Sequence, residues 1–244
     1  MSARWLSAAA LAALALLVSF PGHASAARSL QHEGHDHDAD MSSGGILMSG
    51  GSINMADPCY TAPDAPSCAT FNRTDADWTD DLTQLCAAMP FMVGCTLWKQ
   101  CEAGTAAGAY CELPSLAGDI CTEDMTAMKG CEAYNALCGS NSTVVEQCLS
   151  AGPIPDHVLT FTVKDGIDSL CNTHCMGGCD VCGPTSEWKT CSEPLMVLAR
   201  MCYEMPTMPE CDATGFNGMC MDPEVKENFP LVCGEPPVVP DTCA

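Results

Sequence analysis

The segment CAAMPFMVGC, residues 86–95, places two methionines three residues apart between two cysteines. The same order of residues recurs as CTEDMTAMKGC at 121–131 and as CYEMPTMPEC at 202–211. Another cysteine follows each copy, at Cys101, Cys138 and Cys220. Since only 15 of the 244 residues are methionine and 20 are cysteine, three such strings are not expected by chance. The chain therefore contains an internal Cys-Met repeat.

The residue types of the repeat favour a soft metal ion. Thioether and thiolate sulfur suit Cu(I), whereas calcium and magnesium prefer oxygen ligands. If all cysteines are paired in disulfides, they only position the methionines, and if some stay reduced, they complete a mixed Cys-Met site. The candidate Cu(I) ligands are Met89, Met92, Met125, Met128, Met205, Met208, Cys86, Cys95, Cys121, Cys131, Cys202 and Cys211.

A packing role for the same methionines is the alternative, because methionine on an apolar helix face is more often core filler than ligand. If a copy were helical, its two cysteines would fall on opposite sides of the helix, which predicts two different disulfides around each methionine pair. Pro206 and Pro209 interrupt the third copy. We therefore expect the copies to share ligands rather than backbone conformation.

The CxxMxxMxxC spacing, followed by a cysteine after five or six residues, resembles the Cys-Met motif of the CTR-type copper transporters of green algae. In those proteins the motif lies in the extracellular amino-terminal region. The resemblance covers most of the chain from Cys59 to Cys233. It implies a soluble, secreted relative of that region with no transmembrane segment of its own. It also implies that a plasma-membrane CTR-type copper transporter is the partner.

The first 26 residues are typical of a secretory signal peptide. Arg4 supplies a positive charge, residues 8–18 are an unbroken apolar run, and residues 24–26 are a small-residue cleavage site. All 20 cysteines follow this segment, which predicts a disulfide-rich protein in an oxidising compartment. We expect a secreted protein of the extracellular or periplasmic space at the cell surface. The triplets at Asn72 and Asn141 permit N-glycosylation.

Residues 27–57 are rich in Gly, Ser, His, Asp and Met and have no apolar periodicity, which predicts a disordered arm. The imidazoles of this arm suit Cu(II) as well as Zn(II). They belong to His32, His35 and His37.

A second cluster surrounds His174. Its cysteines are Cys171, Cys175, Cys179 and Cys182. They could make a zinc or copper site, although disulfides are favoured in a secreted chain. His157 lies far from any cysteine cluster in the sequence and is interpreted as a surface or capping residue.

Helical periodicity predicts a mainly α fold of small disulfide-rich helical modules with extensive loops, preceded by the arm. Two such regions are expected: 58–150 with two copies of the repeat and 151–244 with the third. The predicted helices are 75–89, ended by Pro90, then 122–138, 143–150 and a helix from about Ser192 with Pro194 in its first turn. A helix is also favoured over a strand from Val158.

The formal net charge of −22 argues against nucleic-acid binding and favours cation attraction. Signatures of common enzyme classes, such as GxSxG, the P-loop and HExxH, are missing, so no enzymatic activity is predicted. We expect an extracellular protein that captures Cu(I) and Cu(II) and assists copper uptake by CTR-type transporters. The alternative is a disulfide-stapled structural or interaction protein with no metal role.

Overall fold

The computed structural model describes residues 56–139, 144–150 and 152–239. Within these ranges the chain is helical and has no strand, which confirms the mainly α prediction. No helix in this part of the chain is long and apolar enough to cross a bilayer. The signal peptide, the arm with His32, His35 and His37, and Asn141 lie outside the described residues.

Thirteen α-helices follow one another in the described part of the chain. They are α1 (Pro58–Thr61), α2 (Asp75–Ala88), α3 (Val93–Glu102), α4 (Leu113–Gly118), α5 (Glu132–Leu137), α6 (Glu146–Ser150), α7 (Thr160–Thr173), α8 (Cys179–Cys182), α9 (Pro194–Glu204), α10 (Pro209–Ala213), α11 (Phe216–Met221), α12 (Pro223–Asn228) and α13 (Pro230–Cys233). A π-helix, Asp119–Asp124, continues α4, and short 3₁₀ turns lie at Pro66–Cys68, Ala109–Cys111 and Trp188–Thr190.

Two of the predicted helices have clear end signals. The Thr74 hydroxyl accepts a hydrogen bond from the Asp77 N–H and so caps α2, one residue before the predicted capping residue. Helix α9 begins at Pro194, which has no N–H to leave unsatisfied in the first turn. Helix α7 confirms the helical interpretation of the segment after Val158.

The predicted helix over 122–138 is wrong. Cys121 and Cys131 form a disulfide with their Cα atoms 5.4 Å apart. A straight helix of the same ten residues would rise about 15 Å, so the chain must turn back between them. Gly130 lies in this turn at φ 109°, a conformation that residues with a side chain rarely adopt. The helical structure therefore stops at Asp124 and resumes only in α5.

Disulfides are the main covalent feature of the fold. Nine join described cysteines that are 8 to 13 residues apart: Cys59–Cys68, Cys86–Cys95, Cys101–Cys111, Cys121–Cys131, Cys138–Cys148, Cys171–Cys179, Cys182–Cys191, Cys202–Cys211 and Cys220–Cys233. Cys175 is disulfide-bonded as well. This confirms the disulfide-rich prediction, and such a density is typical of secreted proteins.

One large hydrophobic core runs from Trp78 in α2 to Val232 in α13. Its fully buried members include Leu116, Ile167 and Leu195, which come from α4, α7 and α9. A smaller cluster packs Cys59 and Cys68 with Leu137 and Val145. The described residues on both sides of residue 150, the predicted boundary, belong to one compact unit.

The prediction of a surface position for His157 is wrong, because only 1% of its side chain is exposed. Its Nδ1 lies 3.6 Å from Oδ1 of Asp119, which is fully buried and accepts a hydrogen bond from the Ile154 N–H. Desolvation raises the pKa of the Asp119 carboxyl to about 8 and lowers the pKa of the His157 imidazole to about 4. The buried pair therefore holds one proton between these pH values.

This pair predicts that stability falls as the pH rises from 6.5 to 8. An unfolded Asp119 is already ionised there, and an unfolded histidine loses its proton near 6.5, whereas the folded pair keeps one proton until about pH 8. The expected loss is about 1 kcal/mol over this window, because the unfolded histidine and the folded Asp119 are each half-titrated at one end of it. Urea unfolding at pH 6.5 and 8 measures it. In Asp119→Asn, which keeps an acceptor for Ile154, the loss should be largely removed, and an unchanged loss would contradict this origin.

Candidate functional site

The three copies share one backbone turn between their two methionines, so the prediction that they do not share backbone conformation is wrong for this turn. After Met128 the second copy departs from the other two, with Gly130 at φ 109° and no helix before α5. In each copy a helix ends at the first methionine, with φ/ψ of −139/76° at Met89, −138/78° at Met125 and −132/71° at Met205. The N–H of the second methionine then donates to the C=O of the first, over 3.2, 3.4 and 3.1 Å. We call the segments Cys86–Cys95, Cys121–Cys131 and Cys202–Cys211 the Cys-Met turns.

A second hydrogen bond completes each Cys-Met turn. The N–H of the closing cysteine donates to the C=O of the second methionine, over 3.1, 3.0 and 3.1 Å in chain order. The two cysteines of each copy are bonded to each other, with Cα atoms 5.4 to 5.8 Å apart. The prediction of two different disulfides around each methionine pair is therefore wrong. It assumed a continuous helix, whereas the helix ends between the two cysteines.

Proline explains much of this shared geometry. Pro90 and Pro206 follow the first methionine, and a residue before proline is driven out of the helical region. Pro209 follows the second methionine of the third copy and occupies the first turn of α10, where its missing N–H costs nothing. The prolines of the third copy thus produce the common turn. The second copy has no proline, and there the π-helix and Gly130 make the reversal.

A fourth turn of the same kind carries alanine at both methionine positions. In the segment CYTAPDAPSC, residues 59–68, Ala62 has φ/ψ of −142/66°. The Ala65 N–H donates to the Ala62 C=O over 3.0 Å, and the Cys68 N–H donates to the Ala65 C=O over 2.8 Å. We call this segment the Cys-Ala turn. It shows that the backbone of the turn does not require methionine.

The Cys-Ala turn was not predicted, because it lacks the methionines that define the repeat. Two features of the sequence could have identified it. Its cysteines are nine residues apart, and a proline follows the first alanine, as a proline follows the first methionine in the first and third copies. Because alanine serves equally well for the backbone, the methionines of the other three turns are explained by what their side chains do.

The six methionines differ in burial. Met92 is fully buried in the core, whereas the other five are half-buried and pack against its edge. In the second and third turns both methionine residues are thus partly exposed to solvent, and in the first turn only Met89 is. An i to i+3 hydrogen-bonded turn brings its end Cα atoms within about 7 Å of each other. The two flexible side chains of one turn, such as Met125 and Met128, can therefore reach a common ion.

The cysteines predicted as ligands are all in disulfides: Cys86, Cys95, Cys121, Cys131, Cys202 and Cys211. A disulfide sulfur is not a thiolate, and it is the thiolate that ligates metals. Of the two possibilities for the cysteines, the structure therefore corresponds to the one in which they form disulfides and only position the methionines. Cys171, Cys179 and Cys182 are disulfide-bonded too, which excludes the thiolate cluster around His174 in this oxidised chain.

Acidic side chains adjoin the two exposed turns. Glu123 and Asp124 precede Met125, and the third turn contains Glu204 and Glu210. Within the part of the chain that the structure describes, no three His, Cys, Asp or Glu side chains are grouped to hold a metal ion. The donors that the Cys-Met turns offer are therefore thioethers beside carboxylates, although in the second turn Lys129 also directly follows Met128. Cations are attracted by such a surface, and thioethers select soft ones.

The third turn also borders a groove that was not predicted from the sequence. Met205 lines it together with His174, at the end of α7, and Met176. Met205 is distant in sequence from the other two residues and lies near them because α7 packs against α9.

Burial predicts different stability effects for the methionines. Met92→Ala should lower the free energy of unfolding by about 2–5 kcal/mol, because it leaves a cavity in the core. Met128→Ala should cost less than about 1.5 kcal/mol, since its side chain is already partly in water. Denaturant unfolding of the two variants measures the difference. Equal, large losses would indicate that Met128 serves the core as Met92 does.

Comparison with known proteins gives two relatives, while no protein-family model and no solved structure matches the chain. Protein P80 of Dictyostelium discoideum is 38% identical over 156 residues, which are 64% of this chain and 29% of that protein. Varv peptide A/Kalata-B1 of Viola odorata is 27% identical over 131 residues, which are 47% of this chain and 62% of that protein. The chain thus spans less than two thirds of either relative.

Proposed function

We propose that this protein binds copper outside the cell, holding Cu(I) through the thioethers of its Cys-Met turns. The observation that carries the proposal is the comparison of four turns with the same pair of backbone hydrogen bonds, of which three have methionine at both positions and one has alanine. Folding alone needs no methionine there. A function that uses thioether sulfur accounts for it.

Thioethers are suitable donors in an oxidising compartment. Every described cysteine is in a disulfide, so thiolates are not offered to the metal. A thioether carries no proton to lose and is not consumed by disulfide formation, yet it still prefers Cu(I). The disulfide fixes the ends of each turn and so limits the entropy lost when two methionines close on one ion.

The charge and exposure of the turns favour capture and release. A formal net charge of −22 raises the local concentration of cations. Met125, Met128, Met205 and Met208 are half-buried, so an incoming ligand can reach a bound ion without opening the core. In this proposal His32, His35 and His37 capture Cu(II). The loaded protein then passes copper to a CTR-type transporter at the plasma membrane, as the resemblance implies.

A structural role is the second candidate, and the burial of Met92 favours it. That side chain is fully enclosed, and the other five methionines also touch the core. In this alternative the chain is a disulfide-stapled interaction protein whose methionines fill irregular gaps. The two candidates differ in what happens when methionine is replaced by leucine, which fills a similar volume but has no sulfur.

The first test is a loss of binding. An anaerobic Cu(I) titration against a competing chelator compares the secreted protein with a variant in which Met125, Met128, Met205 and Met208 are changed to Leu. The matched control changes four methionines outside the turns, Met196, Met201, Met219 and Met221, to Leu. We expect the first variant to lose most of the tightly bound Cu(I) and the control to keep it. Equal binding by all three proteins would support the structural alternative.

The second test is a gain of binding. The Cys-Ala turn has the backbone of the Cys-Met turns, and Ala62 is exposed while Ala65 is half-buried, so both have room for a longer side chain. The double variant Ala62→Met/Ala65→Met should bind about one additional Cu(I) per chain. Ala62→Leu/Ala65→Leu is the control, with similar bulk and no thioether. If neither variant gains copper, the turn geometry does not create a site.

A further inference from the structure

A groove of about 520 Å³ lies where two helices end. His174 is the C-terminal cap of α7, and Met205 is the C-terminal cap of α9. Both residues line the groove, so the carboxyl ends of the two helices meet there. The negative ends of the helix dipoles, of 14 and 11 residues, therefore favour a cation at this place.

The side chains that line the groove have the donors of a copper site. His174, Met176 and Met205 line the groove, and their side chains carry one imidazole and two thioethers from different segments of the chain. Met176 is buried, while His174 and Met205 are half-buried. Imidazole suits copper, and thioethers select its reduced form. Cys175 also lines the groove, but as a disulfide-bonded residue it offers no thiolate.

The charges around the groove are compatible with a cation. None of the described residues that line it is a lysine or an arginine. Glu204 lies at its edge and accepts a hydrogen bond from Arg200 Nε over 2.7 Å. Arg200 is thus held by this carboxylate, one turn back along α9. The remaining lining includes Val238, which is 75% exposed, and Val239, which is half-buried, and neither carries a charge.

Local backbone hydrogen bonds hold the two donor-bearing caps in place. The His174 N–H donates to the Leu170 C=O over 2.7 Å, and the Met205 N–H donates to the Met201 C=O over 3.0 Å. The Cys171–Cys179 disulfide closes the segment that contains His174 and Met176, and the Cys202–Cys211 disulfide closes the one that contains Met205. The donors are therefore carried by two cross-linked turns on packed helices.

We infer that this groove is a nitrogen–sulfur Cu(I) site whose ligands are His174, Met176 and Met205. The inference rests on the proposed function, because it takes Cu(I) as the ion. It differs from the Cys-Met turns in having an imidazole ligand and in drawing its ligands from two parts of the chain. Met205 belongs to both sites, so the third turn and the groove share one ion or compete for it.

The experiment uses the secreted protein with His32, His35 and His37 changed to Ala, which removes the imidazoles of the arm. Copper K-edge X-ray absorption of the protein loaded anaerobically with Cu(I) then reports nitrogen and sulfur neighbours of the metal. We expect an imidazole contribution that disappears in His174→Phe. The Cu(I) stoichiometry should fall by about one per chain in that variant and in Met176→Leu. Met221→Leu, an exposed methionine remote from the groove in sequence, is the control.

The possible results separate the two proposals. If the protein binds Cu(I) with sulfur neighbours only, and His174→Phe changes neither spectrum nor stoichiometry, the groove site is overturned while the turns remain Cu(I) sites. If no Cu(I) is bound tightly by any variant, both proposals fail. If Met125→Leu/Met128→Leu lowers the stoichiometry but keeps the imidazole contribution, the groove site is supported as independent of the second turn. Circular dichroism confirms that the variants keep their helices.

Discussion

The short-range disulfide is the constraint on which the rest of this structure depends. Nine or ten residues in a straight helix span roughly 14–15 Å, yet the disulfides that close the Cys-Met turns hold their Cα atoms within 5.8 Å. A helix that contains the first cysteine must therefore end before the second. This explains why, among the helices of the described residues, only α2 and α7 reach 14 residues and why turns separate so many short helices. Each such disulfide also lowers the conformational entropy of the unfolded chain, which stabilises the folded state by about 2–3 kcal/mol. This gain supports helices that are too short to be stable alone.

The sequence allowed part of this fold to be predicted. Helices α2 and α9 have apolar periodicity and end signals in proline and a capping residue, and both were expected close to their observed bounds. The helix predicted over 122–138 failed because local periodicity does not report disulfide pairing. The same information was missing for Cys86 and Cys95, which were placed on opposite sides of a helix that in fact ends between them. His157 was misjudged for a different reason. Its partner Asp119 is 38 residues away, and only tertiary structure brings the two together.

The candidate site was predictable to a similar degree. Spacing alone identified the paired methionines and their relation to flanking cysteines, because the repeat is local. It could not separate Met92, which the core encloses, from Met125 and Met128 at the core edge. This difference in burial depends on which other parts of the chain pack against each turn. The groove at His174 also escaped prediction, since its donors come from the ends of two helices that are adjacent only in the folded chain.

The disulfides and the thioethers are both explained by an oxidising compartment. A secreted protein of this size in an oxidising compartment gains stability from disulfides, and disulfide formation removes the thiolates that would otherwise bind soft metals most strongly. Methionine restores a sulfur donor that oxidation to disulfides does not consume. When the cysteines of one turn bond to each other, they bring the ends of a ten- or eleven-residue segment together and leave its two methionines at the core edge. The Cys-Ala turn shows that this scaffold forms without sulfur at those positions. The backbone of the turn and its metal-binding side chains are thus separable. The cysteines, with proline in three of the four turns, shape the backbone, and the side chains at the two methionine positions set the chemistry.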